Sequence, residues 1–174
     1  MTAPAATALQ MLRHTIATLA YRAEKVLRAA PDDFAGRRAG PHSRSALEIL
    51  GHLGDLMEWG ERLARGQYRW QPAPPAPWAE SLERFFRALA GLDAALAADP
   101  APGHPPEQIF QGPVADALTH IGQLALLRGL HGSAVRPESY ARAEIQVGRV
   151  GRAQSATRVE FDGDASRPAP PARA

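Results

Sequence analysis

Apolar residues recur every three or four positions over four stretches of the chain, the spacing of a buried helix face. Leu9, Leu12, Ile16, Leu19, Ala23 and Val26 predict a first helix over residues 5–30, stopped by Pro31 and the two aspartates after it. Residues 32–42 carry glycine and arginine without periodicity and read as a loop. A second helix starts at Ser45, and Glu48 three residues on completes a capping-box signature. It runs through Leu47, Leu50, Leu53, Leu56, Met57 and Leu63 and ends near Gly66. The segment Gln71-Pro-Ala-Pro-Pro-Ala-Pro77 cannot be helical, and it is long enough to cross the end of a bundle instead of turning tightly. Trp78, Leu82, Phe85, Leu89, Leu92 and Leu96 form the seam of a third helix. A second proline-rich loop follows over 100–106, then a short turn over 107–110. Gly112-Pro113 opens the fourth helix, with proline at the favoured first position, and Leu118, Ile121, Leu124 and Leu127 carry it to Gly132.

Beyond Gly132 the periodicity fades. Residues 140–150 read as a short extended or helical segment folded back on the helices, and the proline-rich end over 167–174 is predicted to be disordered. With four amphipathic seams and almost no strand signal, the fold class is all-α: a four-helix bundle over residues 1–132 with an irregular C-terminal extension over 133–174, partly packed on the bundle.

Composition narrows the chemistry. Hydrophobic residues make up 45% and charged residues 22%, an ordinary globular balance, and 174 residues suffice for one substantial core. The net charge of +2 implies no nucleic-acid footprint. The chain has no cysteine, which removes disulfides and thiol nucleophiles, so a metal site must use His, Asp, Glu and water. No apolar run approaches a membrane span, and the N-terminus lacks a signal-peptide pattern. A soluble, cytoplasmic protein is expected.

Two stripes then stand out. Glu48-Ile-Leu-Gly-His52-Leu-Gly-Asp55 and Asp116-Ala-Leu-Thr-His120-Ile-Gly-Gln123 each place a carboxylate four residues before a histidine and a polar side chain three residues after it. These spacings put all three groups on one helix face. Two such stripes facing each other suit a divalent metal, Zn, Ni, Mn or Fe, bound by imidazole and carboxylate. Each histidine also has a plainer reading as a core residue satisfied by a neighbour. Glu48 is better explained by the capping box than by ligation. Asp116 has a competing role at the positive end of a helix dipole. Asp55 reads as a ligand, a partner orienting His52, or a surface group. Both histidines lie near the starts of their predicted helices, so antiparallel helices bring them level only with an offset of one or two turns. The glycines Gly51, Gly54 and Gly122 leave room for close helix approach or a ligand. Trp59, Trp70, Trp78, Phe85 and Phe86 could line a pocket, although aromatic seams are more often core, and Arg62 and Arg128 could recognise an anionic substrate, although solvated surface is the plainer reading. His14, His42, His104 and His131 carry no pattern.

The mid-helix histidine of Gly51-His52-Leu53 and the segment Thr119-His120-Ile121-Gly122-Gln123-Leu124 resemble the DinB-like superfamily of bacterial four-helix-bundle metalloproteins. The second segment is similar to that family's His-Arg-Gly-Gln stretch, with Ile121 in place of arginine. The resemblance implies an up-down-down-up bundle, frequent homodimers, and a metal triad of one ligand on the second helix and two spaced by four on the fourth. His52 and His120 match two family histidines, and the third position falls on Asp116. It further implies thiol-dependent transferase or isomerase activity for some members. The expected function is therefore a divalent-metal-binding protein, possessing transferase, isomerase or hydrolase activity on a small-molecule substrate. Asp55 or Tyr140 would then be the acid/base partner. The alternative is a non-catalytic dimeric ligand-binding or stress-response bundle that has lost the metal.

Overall fold

The computed structural model describes residues 3–99 and 101–161, so the end expected to be disordered lies outside the described residues. Four long helical arms form the bundle: α1 (Ala3–Leu27), α2 (Ala46–Ala64), α3 (Trp78–Ala98), and a composite arm of α4 (Pro106–Ile109), a π-helical turn (Phe110–Val114) and α5 (Ala115–Leu130). The apolar seams meet in one core. Leu12, Ile16, Leu19, Leu50, Leu53, Met57, Phe85, Leu89, Leu92, Leu96, Leu124 and Leu127 are all buried. No helix among the described residues is long and apolar enough to cross a membrane.

The start of α2 is set by its sequence. Glu48 N–H donates to Ser45 Oγ at 3.2 Å and Ser45 N–H donates to Glu48 Oε2 at 2.6 Å, the reciprocal capping box. At its end the chain turns through Gly66 at φ +77°, a left-handed conformation that favours glycine. The proline-rich segment then returns across the bundle, held partway by Ala73 N–H donating to Asp55 Oδ1 at 2.9 Å.

Contacts between helices fix their directions. Moving along α2 from Gly54 to Gly60, the partners on α3 move from Arg84 to Leu92, so these two helices are parallel. Arg13 pairs with Asp93 while Leu27 lies beside Trp78, so α1 and α3 are antiparallel. Leu12 faces Pro106 and Phe110 while Arg128 bonds Val26 O, so α1 and the last arm are parallel. The order is up-down-down-up, and the long proline-rich crossover is what permits two consecutive parallel helices.

The fourth arm departs from the sequence expectation. Helical backbone begins at Pro106, seven residues before the expected start, and continues through Pro113. The π turn explains how: its wider hydrogen-bond ladder accommodates a proline that lacks an N–H and would break a regular α-helix. At this turn Gly112 lets α2 approach closely, since a Cβ there would lie 3.2 Å from the Trp59 ring.

Arg128, expected on the solvated surface, is buried. It donates to Val26 O at 2.9 Å, Arg28 O at 3.3 Å and Ser133 O at 2.9 Å, joining the C-terminal ends of α1 and α5. The extension lies along α1. Residues 137–139 pair with 159–161 through Ser139 N–H to Val159 O and Phe161 N–H to Pro137 O. Lys25, the one lysine of the chain, is buried and donates to Glu138 Oε2 and Glu160 Oε1, both at 2.7 Å. Tyr21 donates its hydroxyl to Glu138, and Arg158 reaches Glu24 at 2.6 Å.

Candidate metal centre

The continuous fourth arm resolves the depth of the two histidines. Because helix precedes α5 from Pro106 onward, His120 lies near the middle of its arm and comes level with His52 on antiparallel α2. The rings meet edge to face with centroids 4.8 Å apart. Asp116, one turn before His120, points between them: His52 Nε2 lies 3.4 Å from Asp116 Oδ2, and His120 Nε2 lies 3.5 Å from Asp116 Oδ1. Asp116 is not at the start of its helical arm, so the helix-dipole explanation for its position loses force.

These separations exceed ordinary N–H···O hydrogen bonds, which run to about 3.2 Å. Tetrahedral ligands held about 2.0–2.2 Å from a metal are themselves about 3.3–3.6 Å apart. One donor atom from each of His52, Asp116 and His120 lies within 4.8 Å of the others, and closing on an ion asks the widest pair to approach by about 1 Å, the scale of a side-chain rotation. This group of three could hold a metal ion, and no other cluster of its kind occurs among the described residues.

The immediate surroundings favour ligation. His120 Nδ1 lies 2.7 Å from Gln123 Oε1; with the amide oxygen as acceptor, Nδ1 carries the proton and the Nε2 lone pair faces Asp116. Burial pushes the His52 pKa below its ordinary value, Arg44 and His120 push it further, and Asp116 opposes them. His52 is accordingly neutral at pH 7, the form a metal requires. Its ring packs edge-on against Trp70, which leans on Trp59. The side chains of His52 and His120 are 18% and 10% exposed and that of Asp116 is 47% exposed, so the open side of the triad faces solvent.

Two clefts flank the histidines. One, of about 440 Å³, is lined by His52, Asp55, Trp70 and the proline-rich crossover. The other, of about 350 Å³, is lined by His120, Gln123, Ile49, Leu126 and Leu127. Arg44 borders both.

The remaining sequence candidates lie elsewhere. Asp55 is buried in an ion pair with Arg84 at 2.6 Å and caps the crossover at Ala73, so its hydrogen bonds are directed away from His52. Tyr140 packs on Tyr21 and under Arg22, both on α1, and not on the histidine pair. Glu48 serves the capping box and an ion pair with Arg38. Phe85 and Phe86 are core, whereas Trp70 is half-exposed beside His52. Trp70, one of the aromatics that could line a pocket, does so beside His52, whereas Arg44 was not legible as a site residue because it precedes a helix cap.

No family model, curated protein sequence or solved structure matches this chain.

Proposed function

We propose that this protein is a DinB-like metalloprotein of the cytoplasm in which His52, Asp116 and His120 hold one divalent ion for chemistry on a small molecule. The observation that carries this reading is the convergence of three donor atoms within 4.8 Å of one another, with Asp116 3.4 Å and 3.5 Å from the two imidazoles, on a point open to solvent. Two imidazoles and one carboxylate suit zinc first, with nickel, manganese and iron also compatible with the donor set. Such an ion, when bound there, would supply Lewis acidity, lowering the pKa of a water or thiol or polarising a carbonyl. The chain's own residues do the rest. Gln123 holds the His120 tautomer, Trp70 limits rotation of the His52 ring, and the two clefts give a small substrate access from either side. The activity class that fits is transfer, isomerisation or hydrolysis with a thiol or water as nucleophile.

Cobalt substitution tests this reading. Protein loaded with Co²⁺ is expected to show the visible bands of a four-coordinate site, and 2-mercaptoethanol should add a sulfur-to-cobalt charge-transfer band. His120→Ala should abolish both while leaving the helical circular dichroism nearly unchanged. Failure to take up Co²⁺, with His120→Ala unfolding the protein instead, would show that the polar stripes merely tie α2 to α5.

A further inference from the structure

The two clefts beside the triad differ in charge. The larger one sets Arg44 and Arg84 against the carboxylates of Glu48 and Asp55, with Arg84 engaged by Asp55 and Glu58 and Glu48 by Arg38, so its charges are balanced. The smaller one has apolar walls from Ile49, Leu126 and Leu127, the polar edge of Gln123 and His120, and a single full charge, Arg44. Its volume of about 350 Å³ falls in the range of about 300–1,000 Å³ typical of small-ligand sites, which are mostly apolar with a few placed polar groups.

Arg44 is unlike its neighbours. Arg37 donates to Leu130 O, and Arg38 and Arg84 pair with the carboxylates of Glu48 and Asp55. Among the described residues Arg44 has no hydrogen bond or ion pair, although its charge reaches far enough to act on His52. Leu126, at 60% exposure, is a large apolar side chain on the same cleft with nothing covering it. An unpaired, exposed guanidinium lining the same cleft as three large apolar side chains describes an amphipathic anion. A carboxylate matches the planar donor fork, and a hydrocarbon or aromatic body matches the walls.

We propose that the cleft beside His120 binds a small carboxylate, its anionic end on Arg44 and its apolar body on Ile49, Leu126 and Leu127. The inference names the substrate class of the metal centre and rests on that reading for the chemistry at His120, though not for binding.

The test is calorimetric titration of the full chain, zinc-loaded and metal-free, with 3-phenylpropionate and with the neutral 3-phenylpropionamide. Metal content is measured in parallel on the wild type, Arg44→Ala and Arg44→Lys. The acid is expected to bind about tenfold tighter than the amide, the ratio a charge-assisted hydrogen bond supplies. Arg44→Ala should remove that preference without changing metal content, Arg44→Lys should restore part of it, and added salt should weaken the acid alone. If zinc fails to bind but the Arg44-dependent preference persists, the metal reading falls and the carboxylate cleft stands. The cleft proposal is overturned if acid and amide bind equally or not at all. It is also overturned if the preference survives Arg44→Ala and vanishes on metal removal, which would place the carboxylate on the ion.

Discussion

At the scale of single residues, the properties of the candidate site depend on Gln123, which supports one of its histidines, and on the other histidine, His52. Gln123 accepts from His120 Nδ1 and so leaves the Nε2 lone pair facing Asp116, where an ion would be held. Gln123→Ala is expected to keep the metal stoichiometry while weakening affinity about 10–100-fold, the usual effect of losing such a support, read by competition with a chromophoric chelator. His52 gives a pH signature. Its pKa is lowered in the fold, chiefly by burial, so as pH falls below about 6.5 the unfolded chain takes up a proton that the folded chain refuses. Stability of the metal-free protein should therefore fall as pH drops through that window, and His52→Gln should flatten the slope. Denaturant titrations at pH 7.5 and pH 5.5 check the sign; a slope unchanged in the variant would contradict the assignment.

At the scale of elements, two joints away from the metal group decide whether it forms. Arg128 satisfies carbonyls at the ends of α1 and α5 from a buried position. Arg128→Met leaves the buried Val26 carbonyl unpaired and should cost about 1–3 kcal/mol, measured by urea denaturation. Along α1, the extension is latched by Lys25 between Glu138 and Glu160. Lys25→Met strands a buried Glu138 carboxylate and should destabilise by about 3–5 kcal/mol, whereas Lys25→Met combined with Glu138→Leu should recover most of it. Burial tends to raise the Glu138 pKa, but Lys25, Tyr21 and the Val159 N–H together hold it below the ordinary value. Its stabilisation is thus present above about pH 4.5 and lost as pH falls through the lowered value. Amide exchange in residues 137–139 and 159–161 should accelerate in acid before exchange in the helical core does.

At the scale of the whole molecule, most of the architecture was legible because helix seams are local. The leucine spacing of α2 and α3, the Ser45–Glu48 cap and the Gly66 stop each lie within a few residues of what they determine. What was not legible involved partners far along the chain. Pro113 reads locally as a helix start, and only packing of Gly112 against Trp59 on α2, with the widened π turn, carries helix through it. That misplacement also made Asp116 look like a first-turn carboxylate and set the histidines at different depths. Arg128 reads as surface because its acceptors, the carbonyls of Val26 and Arg28, lie on α1. The triad itself was visible as two stripes with equal offsets, whereas the clefts and Arg44 emerge only once α2 and α5 are side by side.

The central claim is that the three convergent donors bind one ion, and elemental analysis of protein purified without a metal-affinity tag tests it most directly. Alongside the parent, His52→Ala, Asp116→Ala and His120→Ala are measured after incubation with zinc, nickel and manganese in turn. The account predicts about one ion per chain in the parent, loss in both histidine variants, weakened retention in Asp116→Ala, and unchanged helical content throughout. A parent that holds no metal under any of these conditions, or that holds as much after both histidines are replaced, would contradict it.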